Sequence, residues 1–152
     1  TLGRQKSQQL GSWINGSQAI KNSLTAVLAD INTLTIVDGS GLSRNNRLTT
    51  NHVSALLRYI FQNPNYKSVI FEALPRGGLD GTLKRRLNDL STPIIAKTGS
   101  IKGISALAGY INPNSNTPIS FALVLQSDKH NQSELKKIES QLLREIAKLA
   151  KQ

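Results

Sequence analysis

Three runs, Pro93-Ile94-Ile95-Ala96-Lys97, Ser105-Ala106-Leu107-Ala108-Gly109-Tyr110-Ile111 and Ile119-Ser120-Phe121-Ala122-Leu123-Val124-Leu125-Gln126, follow one another in quick order. Each is rich in apolar and β-branched or aromatic residues and bounded by turn formers, so each predicts a strand. Asn112-Pro113-Asn114-Ser115-Asn116 reads as a hairpin loop, which makes the last two strands antiparallel. From about Glu134 the pattern changes to a helical one. Leu135, Ile138, Leu142, Ile146 and Leu149 form one stripe, with lysines and glutamates opposite. Such a stripe needs a surface to cover it, and the sheet is the one available. The expected class is therefore α/β, a largely antiparallel sheet with flanking helices.

Toward the N-terminus, Ile20, Leu24, Val27 and Leu28 recur at helical spacing within 17–29. The β-branched 33–37 predicts a strand that stops at Asp38-Gly39-Ser40-Gly41. Thr49 or Thr50 offers an N-cap to a helix whose inward face is Val53, Leu56, Leu57, Ile60 and Phe61, ended by Asn63-Pro64. Residues 68–73 fit a short strand or a helical turn equally well. A glycine-rich loop, 75–81, leads into helical turns over 82–87. No repeat, low-complexity tract or Gly/Ser/Pro-rich linker marks a boundary, so residues 1–152 are expected to be one folding unit.

The 152 residues are 38% hydrophobic and 18% charged, neither a disordered nor a membrane composition. No apolar run approaches the roughly 20 residues of a spanning helix. There is no cysteine, which excludes thiolate metal sites, disulfides and a thiol nucleophile. No zinc-ligand spacing, phosphate loop or G-x-S-x-G is present, and neither a cofactor nor a metal is expected. Methionine is absent even at position 1, so Thr1 reads as a processed or otherwise imposed end, with any export signal upstream. The net charge of +10 favours acidic partners, nucleic acid or an anionic cell-wall polymer. The basic residues are scattered, however, and only Lys84-Arg85-Arg86 forms a contiguous run of three. Aromatics are 5% and do not interleave with them, so no nucleic-acid partner is expected.

The segment with chemistry in it is Ala96-Lys97-Thr98-Gly99-Ser100. An apolar strand runs directly into a cation, a hydroxyl and a glycine. Alternation sends Lys97 and Gly99 to one face and Thr98 to the other. Lys97 would supply positive charge, Thr98 a hydroxyl donor, and Gly99 room for another backbone. An edge strand here could also pair with an extended peptide. The triplet alone fits equally a strand end with a snorkelling lysine and a turn glycine.

Its context is more specific. Val37-Asp38-Gly39-Ser40-Gly41-Leu42-Ser43-Arg44-Asn45-Asn46 is followed by Leu74-Pro75-Arg76-Gly77-Gly78-Leu79-Asp80-Gly81-Thr82-Leu83. Then come Ala96-Lys97-Thr98-Gly99-Ser100 and Leu107-Ala108-Gly109-Tyr110. In this order the blocks resemble the low-molecular-mass class C penicillin-binding proteins, the D-alanyl-D-alanine carboxypeptidases and endopeptidases. The resemblance runs from about Gly11-Ser12-Trp13 to the last helix.

That resemblance implies the C-terminal portion of a β-lactamase/transpeptidase-like domain and a serine acyl-transfer mechanism built on S-x-x-K, S-x-N and K-T-G. It implies that Lys97-Thr98-Gly99 is the K-T-G element, that Lys97 and Thr98 bind a terminal carboxylate and that the Ser100 N–H completes an oxyanion hole. It further implies that Arg44 faces the free end of the stem-peptide side chain, with Lys102 in the same wall. The implied substrate is the peptidoglycan stem peptide, the implied inhibitors of the full-length protein are β-lactams, and the implied location is periplasmic or extracytoplasmic.

Two other matches read as structural. Ser133-Glu134-Leu135-Lys136 spells S-x-x-K but follows K-T-G, and its serine stands where an N-cap belongs. Ser43-Arg44-Asn45 spells S-x-N inside a turn-forming block. His52 and His130, each near a helix start, read as surface or capping residues. With no S-x-x-K or S-x-N in the family's order, these residues are expected to form one side of an active site, inactive alone and not labelled by a penicillin. A sheet lacking part of its packing should show an exposed apolar patch, or an oligomer through the exposed sheet face. The competing readings are a catalytically dead module that holds cell-wall peptide and a basic nucleic-acid-binding domain.

Overall fold

The computed structural model describes residues 2–8 and 10–149. Contacts sort the chain into two compact units, residues 1–56 and 57–152. The division falls inside a helix, which is why no linker composition marks it.

The first unit opens with α1 (Leu2–Ser7) and α2 (Trp13–Leu24). They pack closely at Gly3, where a Cβ would lie 2.8 Å from the Gly16 amide nitrogen. Ser12 caps α2, its Oγ accepting from the Asn15 N–H at 3.0 Å, so the helix starts four residues before 17 and ends at Leu24. Residues 33–37 do not form a strand. A 3-10 turn over Ile31–Thr33 is followed by one antiparallel bridge, Thr35 with Arg47. The chain leaves extended geometry at Asp38 because that carboxylate draws the next turn around itself. It accepts from the Gly41 N–H (2.9 Å), the Ser43 N–H (2.8 Å) and the Asn46 amide (2.8 Å). These bonds, the Asn46 one foremost, hold its carboxyl below the usual carboxylate range.

Next comes α3 (Thr50–Gln62), which carries the boundary between the units. Thr49 and His52 close its start reciprocally. The His52 N–H donates to Thr49 Oγ1 and the Thr49 N–H to His52 Nδ1, each at 3.2 Å. His52 is thus a capping residue as expected, but a buried one, 6% exposed.

In the second unit α4 (Pro64–Ala73) resolves the open choice at 68–73 as helix. Pro64 sits in its first turn, where a missing N–H costs nothing, and Asn63 caps it by accepting from the Asn65 N–H at 3.1 Å. The predicted turns at 82–87 are a 3-10 turn, Gly81–Leu83, and bends. The sheet is antiparallel in the order β1 (Ile94–Ile101), β2 (Ile104–Ile111), β3 (Ile119–Gln126). α5 (Gln132–Leu149) follows. Directly paired residues share a face, so Ile94, Ala96, Leu107, Ile111, Phe121 and Leu123 point together to one side. There they pack with Leu83, Leu87, Leu143 and Ala147 into the core. On the other face Tyr110 is fully buried, its hydroxyl donating to the Leu57 carbonyl at 2.6 Å and its ring 4.6 Å from Phe71.

The stripe on α5 differs from the predicted one. Leu135, Glu139, Leu143 and Ala147 are buried, whereas Leu142 and Leu149 are 42% and 69% exposed. The face is set by Glu139, a charged residue inside the core whose carboxylate meets Arg86 Nη2 at 2.8 Å and Ser105 Oγ at 3.0 Å. The helix also begins earlier than Glu134. Asn131 caps it by accepting from the Ser133 and Glu134 amides, and Glu134 bonds back to the Asn131 N–H at 2.8 Å. Ser133 is therefore not the cap. On β3, Ile119 and Val124 stand exposed but on opposite faces of the sheet, so they do not make up the expected patch; Leu10, Trp13 and Ile14 are exposed in the first unit.

Candidate active site

β1 is an edge strand whose outer side is covered over half its length. Pro75 and Gly77 pair with it there, the Gly77 N–H donating to the Ile94 carbonyl and the Ala96 N–H to the Pro75 carbonyl, both at 2.9 Å. These bonds show that the even-numbered residues of β1 direct their backbone groups away from β2. The register continues without a bulge from Ile94 opposite Ile111 to Ile101 opposite Ile104. Alternation therefore carries the amides of Thr98 and Ser100 to the same outer side, past the point where the Pro75–Gly77 pairing stops.

The side chains on this half of β1 follow the predicted alternation. Lys97, Gly99 and Ser100 are exposed and Thr98 half-buried. Lys97 Nζ lies against the Thr98 carbonyl oxygen, one of the outward-facing backbone groups. Gly99 stands across from Ala106, whose Cβ is 3.4 Å from where a Gly99 Cβ would be. Backbone and ammonium together give a strip with positive charge, N–H donors and no bulky side chain, suited to an extended ligand ending in an anion.

Thr98 has a neighbour the sequence reading did not use. Its Oγ1 lies 3.0 Å from Thr82 Oγ1. The Thr98 hydroxyl donates to Thr82 here; each hydroxyl is one donor and two acceptors, so the two can exchange roles, and with Thr82 donating the Thr98 proton turns outward. Thr82 is positioned by the glycine-rich loop before it. The Gly78 N–H donates to the Leu83 and Arg86 carbonyls, and Gly78 adopts φ +70 with Asn88 Cα only 2.6 Å from where a Cβ would be. Asp80 holds the loop's start by accepting from the Arg76 N–H at 2.7 Å and its Nε at 2.6 Å, which keeps the Asp80 carboxyl below its usual range. The signal for Thr82 was its place at the end of the Leu74–Leu83 block. The Leu107-Ala108-Gly109-Tyr110 block has a packing reason: a Cβ on Gly109 would meet the Ile95 carbonyl oxygen at 2.0 Å.

Lys102 is exposed in the two-residue turn between β1 and β2, where Gly103 supplies φ +79. It shares the hairpin with the Lys97–Ser100 strip. Arg44 belongs to the first unit, where its carbonyl accepts from the Arg47 guanidinium. Ser43 and Asn45 are structural there, Ser43 Oγ accepting from the Asn45 N–H at 3.2 Å. His130 is exposed near the Glu134 carboxylate. Among the described residues no group of carboxylates and histidines could hold a metal ion.

Known proteins resemble this chain over most of its length. The profile of the D-Ala-D-Ala carboxypeptidase 3 (S13) family matches residues 1–149. A D-alanyl-D-alanine carboxypeptidase DacB of Haemophilus influenzae is 34% identical over 110 residues, covering 70% of this chain and 23% of that protein. A D-alanyl-D-alanine carboxypeptidase of Actinomadura sp. is 32% identical over 127 residues, covering 79% of this chain and 23% of that protein. The crystal structure of penicillin binding protein 4 from H. influenzae superposes with a TM-score of 0.77 at 26% identity, over 95% of this chain and 34% of that one. The same protein is also known in complex with a β-lactam. The chain thus spans about a quarter of the length of these sequence relatives.

Proposed function

The chain belongs to the D-Ala-D-Ala carboxypeptidase 3 (S13) family, and from that premise we propose that it forms the K-T-G side of a serine D-Ala-D-Ala carboxypeptidase site acting on peptidoglycan stem peptides outside the cytoplasm. The observation that carries this reading is the uncovered half of β1. Two outward amides, a lysine and a hydroxyl are presented together where the Pro75–Gly77 pairing ends.

In this reading the substrate lies along β1 as an added strand. Lys97 and the Thr98 hydroxyl hold the terminal carboxylate, and Gly99 leaves space for the chain. A serine outside these residues attacks the carbonyl of the penultimate residue, and the oxyanion that forms accepts from the Ser100 N–H. Losing one such donor typically costs about 3 kcal/mol of transition-state stabilisation. The C–N bond then breaks, D-alanine leaves with a proton, and water hydrolyses the acyl ester to return the serine. Lys102, in the same hairpin as the strip, contacts the stem-peptide side chain. A β-lactam acylates the same serine and places its own carboxylate at Lys97 and Thr98.

The test is Lys97→Ala in the protein that carries the nucleophile. Acylation by a fluorescent penicillin and D-Ala-D-Ala hydrolysis are both expected to fall at least tenfold, with the unfolding midpoint unchanged. Unaltered acylation would overturn the role of Lys97. Wild-type protein that binds stem peptide but is never acylated would instead support a peptide-holding module.

A further inference from the structure

A second charged feature lies away from β1. Residues of α5 between 133 and 144 and the 85–88 turn line an open surface cleft of about 410 Å³, formed by Arg85, Arg86, Lys136, Lys137 and Arg144 with Leu87, Asn88, Ser133, Ser140 and Gln141. No carboxylate lines it. Two of its cations are already spoken for, Arg86 by the buried Glu139 and Arg144 by Asp89, both at 2.8 Å. The other three, Arg85, Lys136 and Lys137, meet no carboxylate among the described residues.

The walls are built rather than incidental. Arg86 Nη2 also donates to Ser140 Oγ at 2.9 Å and to the Lys136 carbonyl at 3.2 Å, which pins the 85–88 turn to the helix. The lining positions on α5 extend from Ser133 to Arg144, about 16 Å at 1.5 Å per residue. A cleft this long, with three uncompensated cations and neutral donors between them, matches an extended anion better than a single one. No aromatic side chain lines it, so nucleobases would have nothing to stack on. Its apolar lining is limited to Leu87, which disfavours insertion into a lipid surface.

We propose that this cleft binds an extended oligophosphate or phosphodiester chain through Arg85, Lys136 and Lys137. The inference does not depend on the chemistry at β1. Calorimetric titration of the chain with tripolyphosphate at low salt tests it. Binding at least tenfold tighter than to inorganic phosphate is expected. The slope of log K against log salt should be near −2, about 0.7 for each of three cations. Arg85→Gln/Lys136→Gln/Lys137→Gln should weaken binding at least tenfold. Lys21→Gln/Arg58→Gln/Lys129→Gln removes the same charge elsewhere and should change it less than threefold. Equal losses in the two triple variants would reduce the effect to net charge and overturn the proposal. So would an oligonucleotide that binds far more tightly than a base-free chain of equal charge, or binding seen only with anionic vesicles.

Discussion

Replacing Arg86 by Met should be among the most damaging single changes in the second unit. The Glu139 carboxylate has no exposed surface, and its partners are Arg86 Nη2 at 2.8 Å and Ser105 Oγ at 3.0 Å. At 2.8 Å and an effective dielectric constant near 20, the gross attraction is about 6 kcal/mol. Much of that is offset by the cost of taking both ions out of water. Removing the cation leaves a buried charge with one hydroxyl, and the expected loss is about 3–5 kcal/mol. With a urea m-value of about 2 kcal/mol/M, the midpoint should fall by about 2 M. Glu139→Leu alone should cost less, about 1–3 kcal/mol, since Arg86 keeps its bonds to Ser140 and the Lys136 carbonyl and reaches solvent. The double variant should then lie well above the sum of the singles, with a coupling of about 2 kcal/mol. An Arg86→Met protein within 1 kcal/mol of wild type, or a cycle that closes additively, would refute this account. The pair also bears on the site, because Ser105 is the register partner of Ser100. Equilibrium urea unfolding of the four proteins, with penicillin acylation alongside in the protein that carries the proposed nucleophile, measures both effects.

Two further outcomes follow from single groups. Thr82→Val removes the hydroxyl that can orient the Thr98 proton; a lost hydrogen bond of about 1 kcal/mol predicts roughly fivefold slower acylation, with Thr82→Ser restoring it. A Thr82→Val protein acylated at the normal rate, with Lys97→Ala still impaired, would separate this detail from the site itself. Burial pushes the Tyr110 phenol up to about 12. The folded state then keeps a proton that the unfolded chain gives up near pH 10, so stability is level below pH 10 and declines between pH 10 and 12, by about 2–3 kcal/mol. Tyr110→Phe should flatten that decline in urea midpoints measured across the range; an unchanged slope would assign the alkaline loss to other groups.

The sequence by itself determined the elements with strong local signals. Three apolar runs became three strands because β-branched and aromatic side chains with turn formers between them have few other uses. The resemblance carried by four blocks in order led to the family, and two of those blocks have plain steric causes at Gly78 and Gly109. Tertiary structure decided what local pattern could not reach. The run 33–37 has strand propensity but forms a single bridge, because Asp38 gathers donors from residues after it in the chain. α5 turns Glu139 inward and leaves Leu142 and Leu149 exposed, because its rotation is set by Arg86, 53 residues away in sequence. The site divides the same way. Lys97-Thr98-Gly99-Ser100 was legible as a motif, but which of its amides face outward depends on Pro75 and Gly77 occupying the first half of the strand edge and leaving the second half open. Hydrophobic periodicity reports on nearest neighbours along the chain, whereas a buried charge or an uncovered strand edge is defined by a partner distant in sequence.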